Sequence, residues 1–381
     1  MWRIATCAVP ALVLLGACGP DCGDIEVVVE SSDTQPGSLV TGVWAGHSVL
    51  TIAPRSDGNI VCMTCSTLVT LDPRLREIDR MDASFYWSMT VGPDDALYAY
   101  QQGSRNGHPL PSFDLLAFEA DGAPRWRIPI SGASPTRVVA GVEGPYLEQV
   151  EGFEEGFRAT ITAFDAATGE PKWTRAQGLL DAAHGGVVTA ERAPNTVTVR
   201  HLDPAGAVVW EHRMTSPSEL FYVTDVAVTP DGGGIFVGRS RASVDFGDRE
   251  IEGPPERDLY FVVEIDPVGA TRWAFKTEGM FPDHVALADN GDILLTGHLA
   301  FRTDDNREDG FLAVATPAGV IRSHRIGGIA SQSVNDVAAA RDGVAWLQVS
   351  SSGPEGEPDP VLRIADHEFR KSGSYLFAIV P

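Results

Sequence analysis

Long apolar runs are almost missing from this 381-residue chain. Past residue 17 nothing approaches the roughly 20 apolar residues that a membrane-spanning helix needs, so everything beyond the start reads as soluble. Positive charge is scarce too: 29 Lys and Arg stand against 52 Asp and Glu, a formal net charge of −23. Such a surface repels nucleic acid and anionic headgroups and suits cationic partners or divalent ions. Helical periodicity is nearly absent. Signatures of common chemistries are missing as well: there is no Gly-x-Ser-x-Gly elbow, no phosphate-cradling Gly-Lys-Ser/Thr loop, no haem attachment motif, no His-x-His and no His-Glu-x-x-His.

Five cysteines are present, and the first two belong to the start of the chain. MWRIATCAVPALVLLGAC has one Arg, an apolar run from Ala8 to Leu15 and small residues at its end, the plan of a signal peptide over residues 1–17. Its ending, Leu15-Gly16-Ala17-Cys18, resembles the bacterial lipobox. The resemblance implies cleavage before Cys18 and lipidation of its thiol, and Gly19 in the next position implies the outer membrane. Residues 18–38 read as a tether in which Cys22 is a spare thiol, and residues 39–381 as one domain. Cys62 and Cys65 lie in the β-rich run IVCMTCSTLVTL. A redox pair or haem site fits neither that setting nor Ser66, which leaves a local disulfide clamping a hairpin or two free thiols.

What is abundant is a repeated turn. EADGAPRW (119–126), DAATGEPKW (165–173), DPAGAVVW (203–210) and DPVGATRW (266–273) share it, TPAGVIRS (316–323) has Ser for Trp, and DPRLREI begins a sixth copy at Asp72. Asp or Glu opens a type I turn, Pro presets φ, and Gly takes the left-handed conformation that closes it. Ahead of each turn stands an apolar strand, such as LYFVVEID or GFLAVAT. Ahead of that stand two more β-runs, mostly joined by Asp-Gly or Asn-Gly, as in DVAVTPDGGGIFVG and HVALADNGDILLTG. Each unit is therefore a four-stranded antiparallel meander. From Asp72 to Thr316 the turn advances 244 residues in five steps, a period of about 49 that, with four strands per unit, marks a β-propeller.

First-strand runs near Val49, Met89, Val138, Val187, Val226, Val285 and Val337 give seven blades. The last unit stops after its third strand, SYLFAIV. Conversely, SLVTGVWAG carries Trp44 just ahead of the first unit, so Leu39 to Ala45 is expected to supply the outer strand of the seventh blade and close the ring. Trp44, Trp126, Trp173, Trp210 and Trp273 hold one repeat position and read as packing between blades.

ITAFDAATGEPKW resembles the quinoprotein-like propeller repeat. The stretch from about residue 220 to 347, with SVDFGDREIEGPPERDLYFVVEIDPVGATRWAFKTEG and DHVALADNGDILLTG, is similar to β-propeller repeats of extracytoplasmic proteins, myxobacterial lipoproteins especially. These resemblances imply a cell-envelope propeller. They do not imply a quinone, whose docking and calcium-binding residues find no match here. In the similar outer-membrane assembly lipoproteins the family's role is scaffolding, although fold alone does not carry function.

In a propeller the first strands line the central channel, and their leading ends share a face with the connections between second and third strands. Those connections are the long ones: Gln101 to Phe113, Gln149 to Phe157, Ser240 to Arg257, Ala300 to Asp309 and Ser350 to Arg370. Long loops on a rigid scaffold are where binding concentrates. The candidate residues at the channel mouth are His47, Arg137, His184, Asp225, Asp283, His284 and Asp336. Converging His and carboxylates suit calcium or zinc; the alternative is that the carboxylates accept loop amides. Glu148, Glu151, Glu154 and Glu155 form an acidic cluster that reads as a solvated loop or a cation site, and His298 and His324 have no partner by spacing. The reading that follows is a monomeric, non-enzymatic binding or scaffold propeller, with no cofactor and with an envelope protein or glycan as partner. The alternative is a propeller enzyme, an oxidoreductase or a glycan-cleaving one, working at the channel mouth.

Overall fold

The computed structural model of the chain describes residues 40–46, 51–63, 67–73, 75–82, 86–105, 108–131, 133–151, 158–176, 178–183, 185–254, 257–288, 290–299, 309–328, 331–339, 345–352, 361–364, 367–370 and 373–379. Among them there are strands and turns and no helix. Seven antiparallel sheets follow one another along the chain. Their first strands are Thr51–Pro54, Tyr86–Val91, Ser134–Gly141, Gly178–Ala183, Tyr222–Val228, Met280–Leu287 and Ser331–Ala339. Each packs beside the next, and the first also meets the last, so the seven make a ring. The protein is a seven-bladed β-propeller, and its core lies between the blades. One cluster joins Val188 and Trp210 of blade 4 to Phe236 and Phe261 of blade 5. Another joins Val237 and Trp273 of blade 5 to Leu295 and Phe311 of blade 6.

The repeated turn does more than reverse the chain. Where the opening residue is Asp, at 72, 165, 203 and 266, its carboxylate closes its own loop: Asp266 Oδ1 accepts from the amides of Val268 at 3.0 Å and Ala270 at 2.8 Å, and Asp203 Oδ1 does the same for Ala205 and Ala207. The turn is also a seat for the Trp of the preceding blade. Trp126 Nε1 donates to Ala166 O in the blade 3 turn, and Trp173 Nε1 to Pro204 O in the blade 4 turn, both at 2.9 Å. A Cβ on Gly169 would come within 2.9 Å of Trp126, and one on Gly206 within 2.9 Å of Trp173. Both glycines have positive φ, +72° and +81°, so the residue that closes the turn must lack a side chain for two reasons. Trp210 follows the rule with a different acceptor, donating to Gly232 O at 2.9 Å in the turn between the first two strands of blade 5.

Three sequence expectations are corrected. In blade 4 the first strand is Gly178–Ala183, and Val187 belongs to the second, Gly186–Ala193. Pro194-Asn195, with Asn195 at φ +60°, therefore turns between the second and third strands instead of the first and second. The cause is weak turn chemistry: between its first two strands blade 4 lacks the Asp-Gly or Asn-Gly marker found in blades 1, 5, 6 and 7. Second, the long connections are not all loops. Residues within 101 to 113 extend a hairpin, Leu97–Arg105 against His108–Phe118. Third, Val244–Asp245 with Glu250–Ile251 joins the outer strand of blade 4, and Val361–Ile364 with His367–Arg370 joins that of blade 6, making both sheets six-stranded. These hairpins cover outer edges that would otherwise offer unpaired backbone.

In blade 7, Gly373–Ile379 lies between Ala345–Ser352 and Val40–Gly46, and Trp44 is opposite Leu376. Leu39, like Cys18, Cys22 and Cys65, is outside the described residues. Cys62 is a free thiol in the core cluster of blades 1 and 7, and burial pushes its pKa far up, which leaves it unreactive.

Candidate functional site

The channel wall is built by a repeated irregularity. In the first strands of blades 2 to 7, one extra residue interrupts the pairing: Trp87, Thr136, Leu180, Thr224, Asp283 and Asn335. Such a bulge twists the strand and re-aims the residues beside it. Immediately after it come Ser88, Arg137, Asp181, Asp225, His284 and Asp336, one polar residue per blade at one register position. Four of the seven residues singled out from the sequence, Arg137, Asp225, His284 and Asp336, occupy this belt, and Asp283 is the bulged residue of blade 6. Asp181 and Ser88 were missed. Asp181 was displaced by the misplaced register of blade 4, which drew attention to His184; His184 and His47 lie outside the described residues.

Asp225 is the centre of the belt. Its Oδ1 is 3.7 Å from Arg137 Nη2 and its Oδ2 is 3.7 Å from His284 Nδ1, so side chains from blades 3, 5 and 6 converge. Oδ2 also accepts the Val285 amide at 3.1 Å. Ser88 Oγ accepts the Val138 amide in the same way, one blade to the next, at 3.5 Å. Asp225 is 9% exposed. Burial by itself raises such a carboxyl, but His284, Arg137 and the Val285 amide outweigh it and hold Asp225 below the usual carboxylate range. The group is thus kept ionised, as an acceptor and charge partner. Among the described residues no three His, Cys, Asp or Glu side chains meet as metal ligands do.

Outward from the belt, on the face of the second-to-third connections, runs a seam of rings and guanidiniums across three blades. The Arg192 guanidinium lies 5.7 Å from the Tyr222 ring centre, and that of Arg239 lies 5.2 Å from Tyr222 and 5.9 Å from Tyr260. Tyr260 stacks on Phe281 with ring centres 4.1 Å apart, and Phe281 meets His298 edge-on at 4.9 Å. His298 Nδ1 is 2.8 Å from Asp283 Oδ2, so the His that spacing left without a partner has one: the bulge carries Asp283 to it. Asp258 is ion-paired with both Arg239, at 3.5 Å, and Arg241, at 3.1 Å. Burial raises the Tyr222 hydroxyl despite the pull of Arg239, and raises that of Tyr260 to about 12, so both remain neutral donors. Tyr222, Arg239, Phe281 and His298 are half-buried and Arg192 is exposed. Nothing in the sequence spacing marks the seam, because Arg192, Tyr222, Arg239, Tyr260, Phe281 and His298 come from six strands.

Other sequence candidates are placed more plainly. Glu148 Oε2 accepts from Thr136 Oγ1 at 2.7 Å. Glu151 is the last residue of its strand, opposite Arg158, and Glu154 and Glu155 lie outside the described residues. His324 sits on the outer strand of blade 6. On the opposite face, a shallow pocket of about 270 Å³ between blades 5 and 6 is lined by Asp231, Arg272, Trp273 and Pro317 among others. There Arg272 pairs with Asp231 at 2.8 Å and with Glu264.

No known family matches the chain, and no curated protein matches it. Among solved structures it is similar to hydrazine synthase of Kuenenia stuttgartiensis, with 11% identity and a TM-score of 0.53 over 86% of this chain and 99% of that one. It is similar to KlHsv2 carrying a Gly-Ser linker in place of its loop 6CD, with 9% identity and a TM-score of 0.52 over 85% and 99%. BamB from Moraxella catarrhalis matches at 13% identity and a TM-score of 0.46 over 87% of this chain and 94% of that one. At these identities the likeness is one of fold, and the fold shared is the β-propeller.

Proposed function

We propose that the protein is a lipid-anchored cell-envelope propeller that works as a non-enzymatic binding or scaffold protein through its long-connection face. The observation that carries this reading is the seam: a row of aromatic and guanidinium groups, half-buried or exposed except for the buried Tyr260, that crosses three blades on the face where the connections are longest. Aromatic and Arg side chains in that state are the usual anchors of protein surfaces that bind. The channel belt is a fastening: Asp225 spends its carboxylate on Arg137, His284 and an amide of the next blade. Lipidation at Cys18, an outer-membrane location and ring closure by Val40–Gly46 belong to the same proposal, supported by the Leu-Gly-Ala-Cys ending and by the pairing of that strand in blade 7.

The test is photo-crosslinking in the envelope with a reactive residue at Arg192, against the same residue at Ile78 on the outer strand of blade 1. A distinct adduct from the first position alone supports the long-connection face. Equal labelling at both positions removes it. Metabolic labelling with a fatty acid, lost in Cys18→Ala, checks the anchor.

A further inference from the structure

We propose that the seam is a site for a carboxylated sugar, a glycan of uronic-acid type, whose rings lie along the aromatic faces and whose carboxylate is taken by Arg192 and Arg239. The inference rests on the binding-face reading above and names its ligand. Three features of the seam argue for it together.

First, its groups are arranged as faces. Two guanidiniums lie over Tyr222, and beside them the half-buried Phe281 stacks on the buried Tyr260, which leaves Tyr222 and Phe281 as the partly open rings. Flat apolar faces edged by fixed donors suit a ligand that is itself a ring with polar edges. Second, donors and acceptors are interleaved. Arg192, Arg239 and Arg241 alternate with Asp258 and Asp283, and the Tyr222 hydroxyl has no hydrogen-bond partner among the described residues. Hydroxyls of a sugar use both kinds of group, whereas an acidic peptide would be repelled by the two carboxylates. Third, the charges do not cancel. Three guanidiniums face two carboxylates, one positive charge in excess, within a chain of net charge −23. The long-range field opposes dense polyanions, while the local excess accepts one carboxylate against Arg, the geometry that fork-shaped guanidinium groups favour.

A peptide added as a strand is the other form of ligand to weigh for such a face, and the topology opposes it. Arg239 is paired in register with Tyr222 on one side and Tyr260 on the other, so the backbone beneath the seam is interior sheet with no open edge. The competing structural account is that the seam is mortar between blades. That account predicts a loss of stability on substitution and no ligand.

The experiment uses the full mature chain in calorimetric titration with three probes: short oligomers of galacturonic acid, the same oligomers as neutral methyl esters, and a poly-glutamate peptide of equal charge. The expected result is binding of the acid oligomer, with the ester weaker by about tenfold, the equivalent of one charge-assisted contact, and no binding of the peptide. Arg192→Gln, at an exposed position, should weaken the acid oligomer more than the ester, which has no carboxylate for it to take. Arg239→Lys keeps the charge but loses the planar fork and should weaken it as well. Equal binding of acid and ester overturns the carboxylate assignment, and tighter binding of poly-glutamate assigns the seam to a peptide. If no sugar binds while the crosslinker at Arg192 still gives its distinct adduct, the ligand class is wrong and the binding face stands. If both fail, both readings fall.

Discussion

The two faces of the propeller are put together differently. On the short-turn face polar groups are satisfied close to home: Asp266 and Asp203 cap their own turns, and in blades 2, 3 and 5 the bulge before the Trp carries a cation back to a nearby acid, as with Arg125 to Glu119 and Asp94 or Lys172 to Glu143 and Asp165. In blades 1, 4 and 6 the same bulge position holds Ile78, Val209 and Ile321, all exposed. On the long-connection face the partners are remote. Arg137 meets Asp225 from two blades away, Arg192 reaches Tyr222 from the next blade, and two hairpins leave their own sheet to cover the edge of another. Apart from the Trp seats, which cross to the next blade, one face is thus a sum of local closures, while the other exists only when the ring is assembled.

This difference is breakable in graded ways. Removing residues 1–46 takes away the strand beside Gly373–Ile379 and should have the largest effect, exposing the edge of blade 7; we expect loss of a cooperative thermal transition followed by circular dichroism. A shortened chain that melts like the full one would show that the ring of first strands holds without that strand. Next is Trp210→Ala, which empties a site 3% exposed and orphans Gly232 O, at about 3 to 5 kcal/mol by denaturant unfolding.

Asp225→Asn tests the remote face. It should cost about 1 to 3 kcal/mol at neutral pH, since a buried acceptor changes partners, and it should alter the acid limb. The folded carboxyl of Asp225 lies below its ordinary value, so its contribution is fully present above the unfolded pKa and is lost as pH falls through the folded one. The native protein should therefore lose stability below about pH 4 more steeply than the variant; parallel acid limbs would deny Asp225 that role. The smallest effect is expected for Gly206→Ala at φ +81°, about 1 to 2 kcal/mol from the left-handed backbone and the contact with Trp173. Because Gly206 belongs to blade 4 and Trp173 to blade 3, Trp173 fluorescence should shift with it. An unmoved spectrum would break the link between turn and seat.

The repeat count, the meander within each blade and the propeller itself were legible in the chain because their signals are local. Asp-Pro-x-Gly turns and alternating strands need only a few consecutive residues to declare themselves. Legibility failed where a signal was weak or remote. Blade 4, with Pro194-Asn195 in place of Asp-Gly, was misregistered, and that hid Asp181 behind His184. His298 looked unpartnered because its partner, Asp283, lies on a neighbouring strand and is brought in by a bulge. Arg137, Asp225 and His284 were picked out as ends of first strands, yet nothing in their spacing could say that the three share one carboxylate.

The sequence by itself determined the unit: a turn that mostly closes through its own Asp, strands of period two, and in four copies a Trp at a fixed place after the turn. Only the tertiary structure decided what the units do to one another. Whether a Trp rests on its own turn or on that of the next blade, which hairpin covers which edge, and which rings line up from Arg192 to His298 all depend on the geometry of closing seven twisted sheets into a ring. Those contacts join residues tens of positions apart, and a chain that encodes each blade locally carries no local record of them.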